Sequence, residues 1–414
     1  MTRGYNAGMT ISCDICVIGS GAVGKAGALA LARAGLQVVL VSPALPAQSA
    51  APLADWDLRV YALNHVARAL LSSLKVWDAM DASRIAAVDA MAVHGDDAAR
   101  AGHLGFDAYG ARVDALAWIV EDANINRALD AALRFSAGVK LVQGSAVQMR
   151  CDAGRASVTL DNGHQIDCSL LVGADGAHSW VRTQADIGMD YRDYGQRAVV
   201  ANFECEQPHH GVASQWFLGA DGIVALLPLP GQRVSLVWSA PEPLAGTLLR
   251  EPPERLCERL HQLPGQTLGR FAMLSPAAPR AFPLRLIRSQ SLVADRVALI
   301  GDAAHVVHPL AGQGMNLGFA DIDALLAALG RRDQPADCGD ARTLSRYARS
   351  RKEEVLLMQV ATDGLHRLFS SELAPVRSIR NLGMAAVDKL PFLKRRLMAH
   401  AFGRPLYSPN GEKS

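Results

Sequence analysis

A short apolar run that leads into a spaced set of glycines most constrains what this chain can fold into. Ile15 to Ile18 runs directly into Gly19-Ser20-Gly21-Ala22-Val23-Gly24, and a helix-forming segment follows, with a stop at Gly35. In such a unit the first glycine permits a tight turn, the second lets the backbone reach a pyrophosphate, and the third lets helix and strand pack closely. The spacing predicts a dinucleotide-binding unit whose phosphate faces the helix N-terminus.

The second strand of this unit, Leu36 to Val41, ends at Ser42. Dinucleotide-binding folds usually place an acid there, which accepts hydrogen bonds from both ribose hydroxyls. A serine hydroxyl can make one such bond without the charge, so adenosine recognition is expected to be weaker or supplemented from elsewhere. This motif alone therefore does not distinguish NAD from FAD.

A second glycine and acid signal follows the apolar run Leu170 to Val172, in the sequence Gly173-Ala174-Asp175-Gly176. Asp-Gly is a common turn. The extension to Ser179 and Arg182, where a helix starts, favours a place for Asp175 at the edge of a cofactor site.

The third signal is Val297 to Ile300 followed by Gly301 and Asp302. A carboxylate at the end of such a strand can accept a hydrogen bond from a sugar or ribityl hydroxyl, and Gly301 permits close backbone approach. A glycine-rich segment, Pro309 to Asn316, then leads into a helix over Leu317 to Leu329. If a flavin ring lay over that helix entry, the backbone N–H groups and the helix dipole would favour the negative charge of the reduced ring.

Between the second and third of these signals, the sequence pattern predicts strands separated by turns. Strand patterns occupy Ala198 to Phe203, Val212 to Leu218, Gly222 to Leu227 and Val234 to Trp238. They predict an inserted antiparallel sheet that floors a substrate pocket. The aromatic residues of these strands are more typical of sheet core than of substrate contacts: Phe203, Trp216, Phe217 and Trp238. Nearer the N-terminus, Trp118 to Asn124 is expected to open another helix, and Asp161-Asn162-Gly163 predicts a hairpin turn.

Length and composition set outer limits. A chain of 414 residues is too long for one ordinary core, so two domains are expected. The formal net charge of +2 gives no general attraction to nucleic acid. No apolar run approaches a membrane span, and the N-terminus lacks the pattern of a signal peptide. The expected compartment is the cytoplasm, and seven scattered cysteines fit reduced thiols there.

Three groups of potential metal ligands are interpreted as structural or solvated. Cys13 and Cys16 form a CxxC inside the first strand rather than at a helix N-terminus. His305 and His308 lack further ligands nearby, and the His209-His210 pair falls in a loop. No metal is therefore expected. His305 is expected to brace the turn after Asp302, and no catalytic base is assigned.

The tail from Arg342 to Pro405 is predicted to be helical. Its segment Leu390 to Met398 places three basic residues beside apolar ones. Such a stretch suits contact with a membrane surface, at the inner face of the membrane for a cytoplasmic protein, but equally a helix packed on the body of the protein. Both interpretations stay open at this point.

Together these motifs resemble the class A flavoprotein aromatic hydroxylases and, within them, the ubiquinone-biosynthesis hydroxylases, also called 2-polyprenylphenol hydroxylases. The general class is carried by GSGAVG at Gly19 to Gly24, GADGAHSWVR at Gly173 to Arg182 and GDAAH at Gly301 to His305. The narrower family is carried by DLRVYAL at Asp57 to Leu63, HPLAGQGMNLGFAD at His308 to Asp321 and TDGLHRLFSS at Thr362 to Ser371.

The resemblance implies FAD as cofactor, O2 as co-substrate, and oxygen transfer from a flavin C4a-hydroperoxide to an electron-rich phenol ring. The reductant would be NAD(P)H or a protein electron donor. The substrate would be a hydrophobic, polyprenylated phenol, and relatives work beside other biosynthetic enzymes. The implied cofactor-binding residues run from pyrophosphate to flavin ring: Gly19, Gly21, Ala22, Val23, Gly24, Ser42, Arg59, Asp175, Gly301, Asp302, Gly312, Gln313, Gly314, Met315 and Asn316.

The predicted fold class is α/β: a Rossmann-like FAD-binding domain with an inserted antiparallel-sheet substrate domain and a helical C-terminal tail. The expected FAD-binding parts are 10–74, 115–185 and 289–340. The expected substrate-domain parts are 75–114 and 186–288, and the helical region is 341–414.

Two residues depart from the family pattern, and three other functions stay open. Ser42 replaces the usual acid, and Asp122 stands where a neutral or basic flavin contact is more common, so Asp122 is expected to point away or to pair with Arg59 or Arg127. An NAD(P)-dependent dehydrogenase would leave the Gly301-Asp302 signal unexplained. A flavoprotein reductase that does not oxygenate and a non-catalytic flavin-fold subunit remain as alternatives.

Overall fold

The computed structural model describes residues 9–44, 55–95, 103–274, 278–307, 314–332 and 337–370. The strands in this part of the chain are β1 (Thr10–Ile18), β2 (Val38–Ser42), β3 (Val60–Leu63), β4 (Ile85–Val88), β5 (Ala90–His94), β6 (His103–Asp107), β7 (Ala117–Glu121), β8 (Val139–Gln143), β9 (Ala146–Cys151), β10 (Ala156–Leu160), β11 (Gln165–Gly173), β12 (Met189–Cys205), β13 (Val212–Phe217), β14 (Ile223–Leu229), β15 (Arg233–Pro241), β16 (Phe271–Met273), β17 (Arg280–Ser289), β18 (Val293–Ala294), β19 (Val297–Leu299) and β20 (His305–Val306). The helices are α1 (Ala22–Arg33), α2 (His65–Ser73), α3 (Ala108–Ala111), α4 (Asp122–Phe135), α5 (Trp180–Gln184), α6 (Glu242–Leu248), α7 (Pro253–His261), α8 (Gly314–Gly330) and α9 (Ala341–Ser370).

The first sheet is built around β1. Parallel pairing runs through β19, β11, β1, β2 and β8, while β10 and β9 add an antiparallel extension beside β11. Side chains of β1 enter two separate cores, so the strand is covered on both faces and reads as an unbroken apolar run. Helices α1 and α8 pack on one face. The predicted β1–α1–β2 unit and the hairpin at Asp161 to Gly163 are both confirmed.

The second sheet has the order β20-β17-β12-β15-β14-β13-β5-β6, with β16 also paired to β12. The predicted inserted sheet is confirmed here, since β12 pairs antiparallel with β15, β15 with β14, and β14 with β13. One face packs against α6 and α7 and contains Phe203, Trp216 and Trp238. The two helices, each with proline in its first turn, were not foreseen from the sequence.

A small third sheet, β3-β7-β4, lies between the other two. The expectation that Trp118 to Asn124 opens a helix is wrong for its first part, because Ala117–Glu121 is strand β7 and the helix begins at Asp122. Every residue of β7 is buried, which produces a continuous apolar run without helical spacing. Helical spacing starts at Ile125 and continues through Ala128 and Leu129.

Strand pairing follows the predicted domain division in part. Strands β5 and β6 join the second sheet, as expected for 75–114, but β4 pairs with β7 in the third sheet. Strand β20 pairs with β17 of the second sheet although it lies within 289–340. The domain boundaries themselves stay a prediction. In the described part of the chain, no helix has both the length and the apolar content that crossing a bilayer requires.

Candidate cofactor site

The three glycines of the N-terminal turn occupy different surroundings. Gly19 has a φ of +116°, and a Cβ atom there would lie 2.3 Å from the carbonyl oxygen of Ala174. A Cβ atom on Gly24 would lie 2.0 Å from the carbonyl oxygen of Gly19. A Cβ atom on Gly21 would meet nothing within 4 Å. Gly19 and Gly24 therefore permit the backbone to pack on itself, whereas Gly21 leaves open space in front of helix α1.

That open space faces a helix N-terminus suited to an anion. Gly21 caps α1 without a side-chain hydrogen bond, and the first turn carries no acidic residue. Unpaired backbone N–H groups and the helix dipole favour a phosphate at such a position. Lys25 is turned away from this task, because its ammonium group lies 2.6 Å from Asp130 and 3.1 Å from Asn126.

Val23 joins the N-terminal turn to the Gly301 and Gly318 segments, which lie almost three hundred residues further along the chain. A Cβ atom on Gly301 would lie 3.1 Å from Val23 Cγ1, and one on Gly318 would lie 2.7 Å from Val23 Cγ2. The absence of side chains at both glycines thus lets α8 and the turn after β19 reach α1. The structure brings the first and third sequence signals to one place.

Asp302 lies in the turn between β19 and β20. Its side chain is solvent-exposed, yet enough protein surrounds it that burial raises the pKa of its carboxyl group. The positive charges of His305 and Arg59 oppose this rise. Exposure combined with close surroundings is expected of a carboxylate that lines a deep cleft, the arrangement needed to hold a sugar or ribityl hydroxyl.

Arg59 immediately precedes β3 of the third sheet, and its charge acts on Asp302. Its side chain is exposed, and its guanidinium carbon lies 4.9 Å from the centre of the Phe282 ring on β17. Its charge also lowers the pKa values of Asp302 and Asp122 against the effect of burial. Arg59 therefore connects the turn after β19 with the second sheet.

The segment that carries Arg59 is held by a buried ion pair. Arg84 Nε lies 2.7 Å from Glu121 Oε2, and Arg84 Nη2 lies 2.8 Å from Glu121 Oε1. Glu121 also accepts the backbone N–H of Asp57 at 2.5 Å. The Asp57 carboxylate in turn accepts the backbone N–H groups of Arg59 and Ala123, each at 3.0 Å.

The start of α8 is tied to the same region by Asn316. Its Oδ1 accepts the backbone N–H of Asn64 at 3.0 Å, and its Nδ2 donates to the carbonyl oxygen of Ala62 at 2.8 Å. The amide of this buried side chain is thus used within the protein. Gly314 has open space where a Cβ atom would stand, and Met315 is half-buried beside it. Gly312, Gln313 and His308 lie outside the described residues.

Two predicted contacts have their polar atoms engaged within the protein. Ser42 ends β2, as counted from the sequence, and its hydroxyl lies 2.6 Å from Ser20 Oγ and donates to the carbonyl oxygen of Ala44 at 2.5 Å. A hydroxyl has one proton, so Ser42 could only accept from a ribose. Asp175 accepts hydrogen bonds from Ser179 Oγ at 2.5 Å and from the backbone N–H of Val181 at 3.0 Å, which fixes the start of α5.

Asp122 is half-buried and interacts with neighbouring polar and charged side chains instead of pointing into solvent. Burial raises the pKa of its carboxyl group, while the charge of Arg59 and a hydrogen bond with Tyr61 lower it. Asn126 Nδ2 also donates to Asp122 Oδ1 at 3.0 Å. Of the two basic partners considered from the sequence, Arg59 is the one whose charge acts on Asp122, because Arg127 instead reaches Asn124 at 3.5 Å.

His305 has the bracing role expected of it. Its Nε2 lies 2.8 Å from Asp321 Oδ2, and Asp321 also accepts from Arg351. Asp321 and Arg351 were not identified as site residues from the sequence. The sequence signal for Asp321 was an acidic residue among the apolar residues of the predicted helix over Leu317 to Leu329. Among the described residues, no cluster of three or more potential ligands could hold a metal ion.

This arrangement suits a dinucleotide with a long polar linker. It combines the open N-terminus of α1, the exposed carboxylate of Asp302 and the second sheet beside Arg59. Residues 12–356 match the family model described as FAD binding domain. The chain belongs to this family. It accordingly uses FAD as cofactor.

Curated relatives that are named as hydroxylases or monooxygenases extend over almost the whole chain, which is therefore a class A flavoprotein monooxygenase of aromatic rings with O2 as co-substrate. It is 36% identical to the ubiquinone hydroxylase UbiL of Rhodospirillum rubrum, with 94% of this chain and 89% of the relative covered. It is 34% identical to the 3-demethoxyubiquinol 3-hydroxylase of Escherichia coli, with 94% and 98% covered. The COQ6 ubiquinone biosynthesis monooxygenase of Drosophila melanogaster is 30% identical, with 94% and 90% covered.

Solved structures share the fold of the hydroxylase. The p-nitrophenol 4-monooxygenase PnpA from Pseudomonas putida superposes with a TM-score of 0.76 at 19% identity, with 96% of this chain and 100% of that chain covered. Klebsiella pneumoniae HpxO, in complex with FAD and uric acid, superposes with a TM-score of 0.71 at 20% identity, with 96% and 98% covered. At these identities the likeness concerns the fold, and it agrees with the predicted α/β class.

Proposed function

We propose that this hydroxylase adds a hydroxyl group to the aromatic ring of a polyprenylated phenol in ubiquinone biosynthesis. The carrying observation is the full-length similarity to three proteins that are named for ubiquinone hydroxylation. The described cleft supports the same proposal, since one of its walls is an apolar sheet face suited to an aromatic ring with a hydrocarbon chain.

The face in question lies on the side of the second sheet opposite α6 and α7. Phe282 of β17 pairs with Ala198 of β12, and both lie on this face beside Arg59. In the next rows, Val200 pairs with Val237, and Val237 pairs with Ala225. Phe282, Val237 and Ala225 are half-buried. These side chains present apolar surface that remains partly open for a ligand.

The residues of the chain divide the work of the reaction. Gly21 and the α1 N-terminus would hold the pyrophosphate, and Asp302 would hold the ribityl chain. The entry to α8 at Gly314 to Asn316 would contact the ring, together with Gly312 and Gln313 as predicted from the sequence. When bound, FAD supplies the electrons that activate O2 for insertion of one oxygen atom. The apolar sheet face would orient the phenol and exclude water from the reacting atoms. No side chain is assigned as a catalytic base.

The electron donor and the surroundings of the enzyme are part of the proposal. The sequence contains no separate nicotinamide fingerprint, so NAD(P)H would bind transiently, or a protein donor would deliver the electrons. Exposed Leu356 and Leu357 on α9 offer apolar surface for peripheral contact with a membrane, where a polyprenylated substrate resides. The segment Leu390 to Met398 lies outside the described residues. The similarity to enzymes of ubiquinone biosynthesis also supports the proposal that this chain associates with other enzymes of the pathway.

Mass spectrometry of quinone intermediates after deletion of the gene tests the proposal. We expect an intermediate that lacks one hydroxyl to accumulate and to disappear when the wild-type gene is restored. Restoration with an Asp302→Ala variant should leave the intermediate in place. An unchanged quinone profile would contradict the proposed substrate. Accumulation of an intermediate that has all its hydroxyl groups but an additional double bond would favour the alternative of a flavoprotein reductase. Restoration of the normal quinone profile by the Asp302→Ala variant would favour the alternative of a non-catalytic subunit.

A further inference from the structure

A buried carboxylate on α8 accepts hydrogen bonds from the turn after β19 and from α9. Asp321 Oδ2 accepts from the backbone N–H of Gly301 at 2.9 Å and lies 2.8 Å from His305 Nε2, while Oδ1 accepts from Arg351 Nε at 2.7 Å. Asp321 is 0% exposed, and His305 and Arg351 are each 2% exposed. A buried carboxylate requires such partners, so the three segments are fixed relative to one another.

One of these segments is the turn that carries Asp302. Gly301 has a φ of +60°, and its N–H is bound by Asp321 immediately before Asp302. Immediately after Asp302, the carbonyl oxygen of Ala303 accepts from Arg182 Nη1 at 2.8 Å. The backbone is therefore held on both sides of Asp302, so the turn directs its carboxylate.

We infer that Asp321 is a positioning residue for FAD: by holding the Gly301–Ala303 turn through Gly301 and His305, it keeps the Asp302 carboxylate where the cofactor needs it. Asp321 touches neither cofactor nor substrate in this role. It acts through the backbone of Gly301 and through the imidazole ring.

The charge state of His305 follows from its neighbours. The titratable and charged groups on the elements around it are Asp302 of its own turn, Asp321 of α8, Tyr347 and Arg351 of α9, Arg182 of α5 and Arg288 of β17. Burial alone would lower the pKa of His305, but the charge and hydrogen bond of Asp321 outweigh burial and raise it. Its Nδ1 has no hydrogen-bond partner in the described part of the chain.

A charged His305 makes FAD affinity depend on pH. A cofactor that covers Asp302 would exclude water, and the attraction between Asp302 and the imidazolium would then strengthen. FAD binding thus favours the protonated ring. Affinity should be highest below the ordinary histidine pKa of 6.5 and should fall as the pH rises through the raised pKa of His305.

The first experiment compares Asp321→Asn with Asp323→Asn, which removes an exposed carboxylate two residues further along the same helix. FAD affinity is measured on cofactor-free protein by quenching of flavin fluorescence, beside the melting temperature of the cofactor-free form. We expect Asp321→Asn to weaken FAD binding by at least about tenfold, since a charge-assisted contact network is lost, and Asp323→Asn to match wild type. A folded Asp321→Asn protein with wild-type FAD affinity would overturn the inference, even if its melting temperature fell.

The second experiment uses His305→Gln and stands if Asp321→Asn fails to fold. Glutamine keeps an N–H donor for Asp321 but has no charge. Its FAD affinity should stay constant as the pH rises above the ordinary histidine pKa of 6.5, whereas that of wild type falls. An equal fall in both proteins would overturn the role of His305. The inference rests on FAD binding, so these readouts are independent of the substrate, and failure of the proposed hydroxylation would leave them unchanged.

Discussion

A Cβ atom on Gly24 would lie 2.0 Å from the carbonyl oxygen of Gly19. The two residues are five positions apart, and their contact sets how closely α1 approaches the end of β1. Gly21 stands between them with no atom within 4 Å of its Cβ direction. We therefore expect stability and cofactor binding to depend on different glycines of one motif.

Alanine at Gly24 and at Gly21 should have separable effects. Gly24→Ala should lower the free energy of unfolding of the cofactor-free protein by about 1–3 kcal/mol, the usual cost of overpacking. Gly21→Ala should leave that stability unchanged, because its φ of −69° suits alanine, but it should weaken FAD binding by filling the space for the pyrophosphate. Urea unfolding and flavin fluorescence separate the two outcomes. Equal FAD affinity of Gly21→Ala and wild type would exclude this location for the pyrophosphate.

Removal of the Asp302 carboxylate should weaken FAD retention. Asp302→Ala loses a charge-assisted hydrogen bond, for which about 1.5–3 kcal/mol is expected. Asp302→Asn, which keeps an acceptor oxygen, should fall between alanine and wild type. The flavin content of the purified proteins and their dissociation constants for FAD provide the measurement. Wild-type flavin content in the alanine variant would remove Asp302 from the site.

The Arg84–Glu121 ion pair should be important for stability. Glu121 is 0% exposed and Arg84 is 9% exposed, so Arg84→Met leaves a buried carboxylate without its cation. We expect a loss of about 3–5 kcal/mol in urea unfolding. Arg255→Ala is the matched control, because its ion pair with Glu258 is exposed and should contribute little to stability. If the two variants lose the same stability, the buried pair does not anchor the segment before Arg59.

His305 should make the stability of the cofactor-free protein depend on pH. Its folded-state pKa is raised above the ordinary histidine value of 6.5. The contribution is therefore complete below that value and disappears as the pH rises through the folded-state pKa. The difference in unfolding free energy between wild type and His305→Gln should shrink as the pH increases. A difference that grows with pH would show that the ring is held neutral.

Sequence patterns predicted the βαβ unit, the inserted sheet and the position of Asp302 because each depends on local spacing. Trp118 to Glu121 was misassigned, since a strand covered on both faces shows no periodicity of two and resembles the buried part of a helix. Helices α6 and α7 were missed because each is short and has proline in its first turn.

Contacts between distant segments were beyond the reach of these patterns. Asp321 and Arg351 are thirty residues apart, and Glu121 and Arg84 are thirty-seven apart. Only the packing of α9 on α8 and of β7 on β4 brings them together. For Ser42 the count along β2 was right, but its bond to Ala44 depends on the path of the chain after the strand.

The most direct test of the whole account is incorporation of isotopic oxygen. Purified protein loaded with FAD is given a chemical or enzymatic reductant, 18O2 and a short-chain polyprenylated phenol, and the product is weighed by mass spectrometry. The account predicts a product that carries one 18O atom in a new ring hydroxyl, with no product when FAD is omitted or Asp302 is replaced by alanine. Reduction of FAD followed by consumption of O2 with no labelled phenol, across the phenols tested, would contradict a hydroxylase of this substrate class.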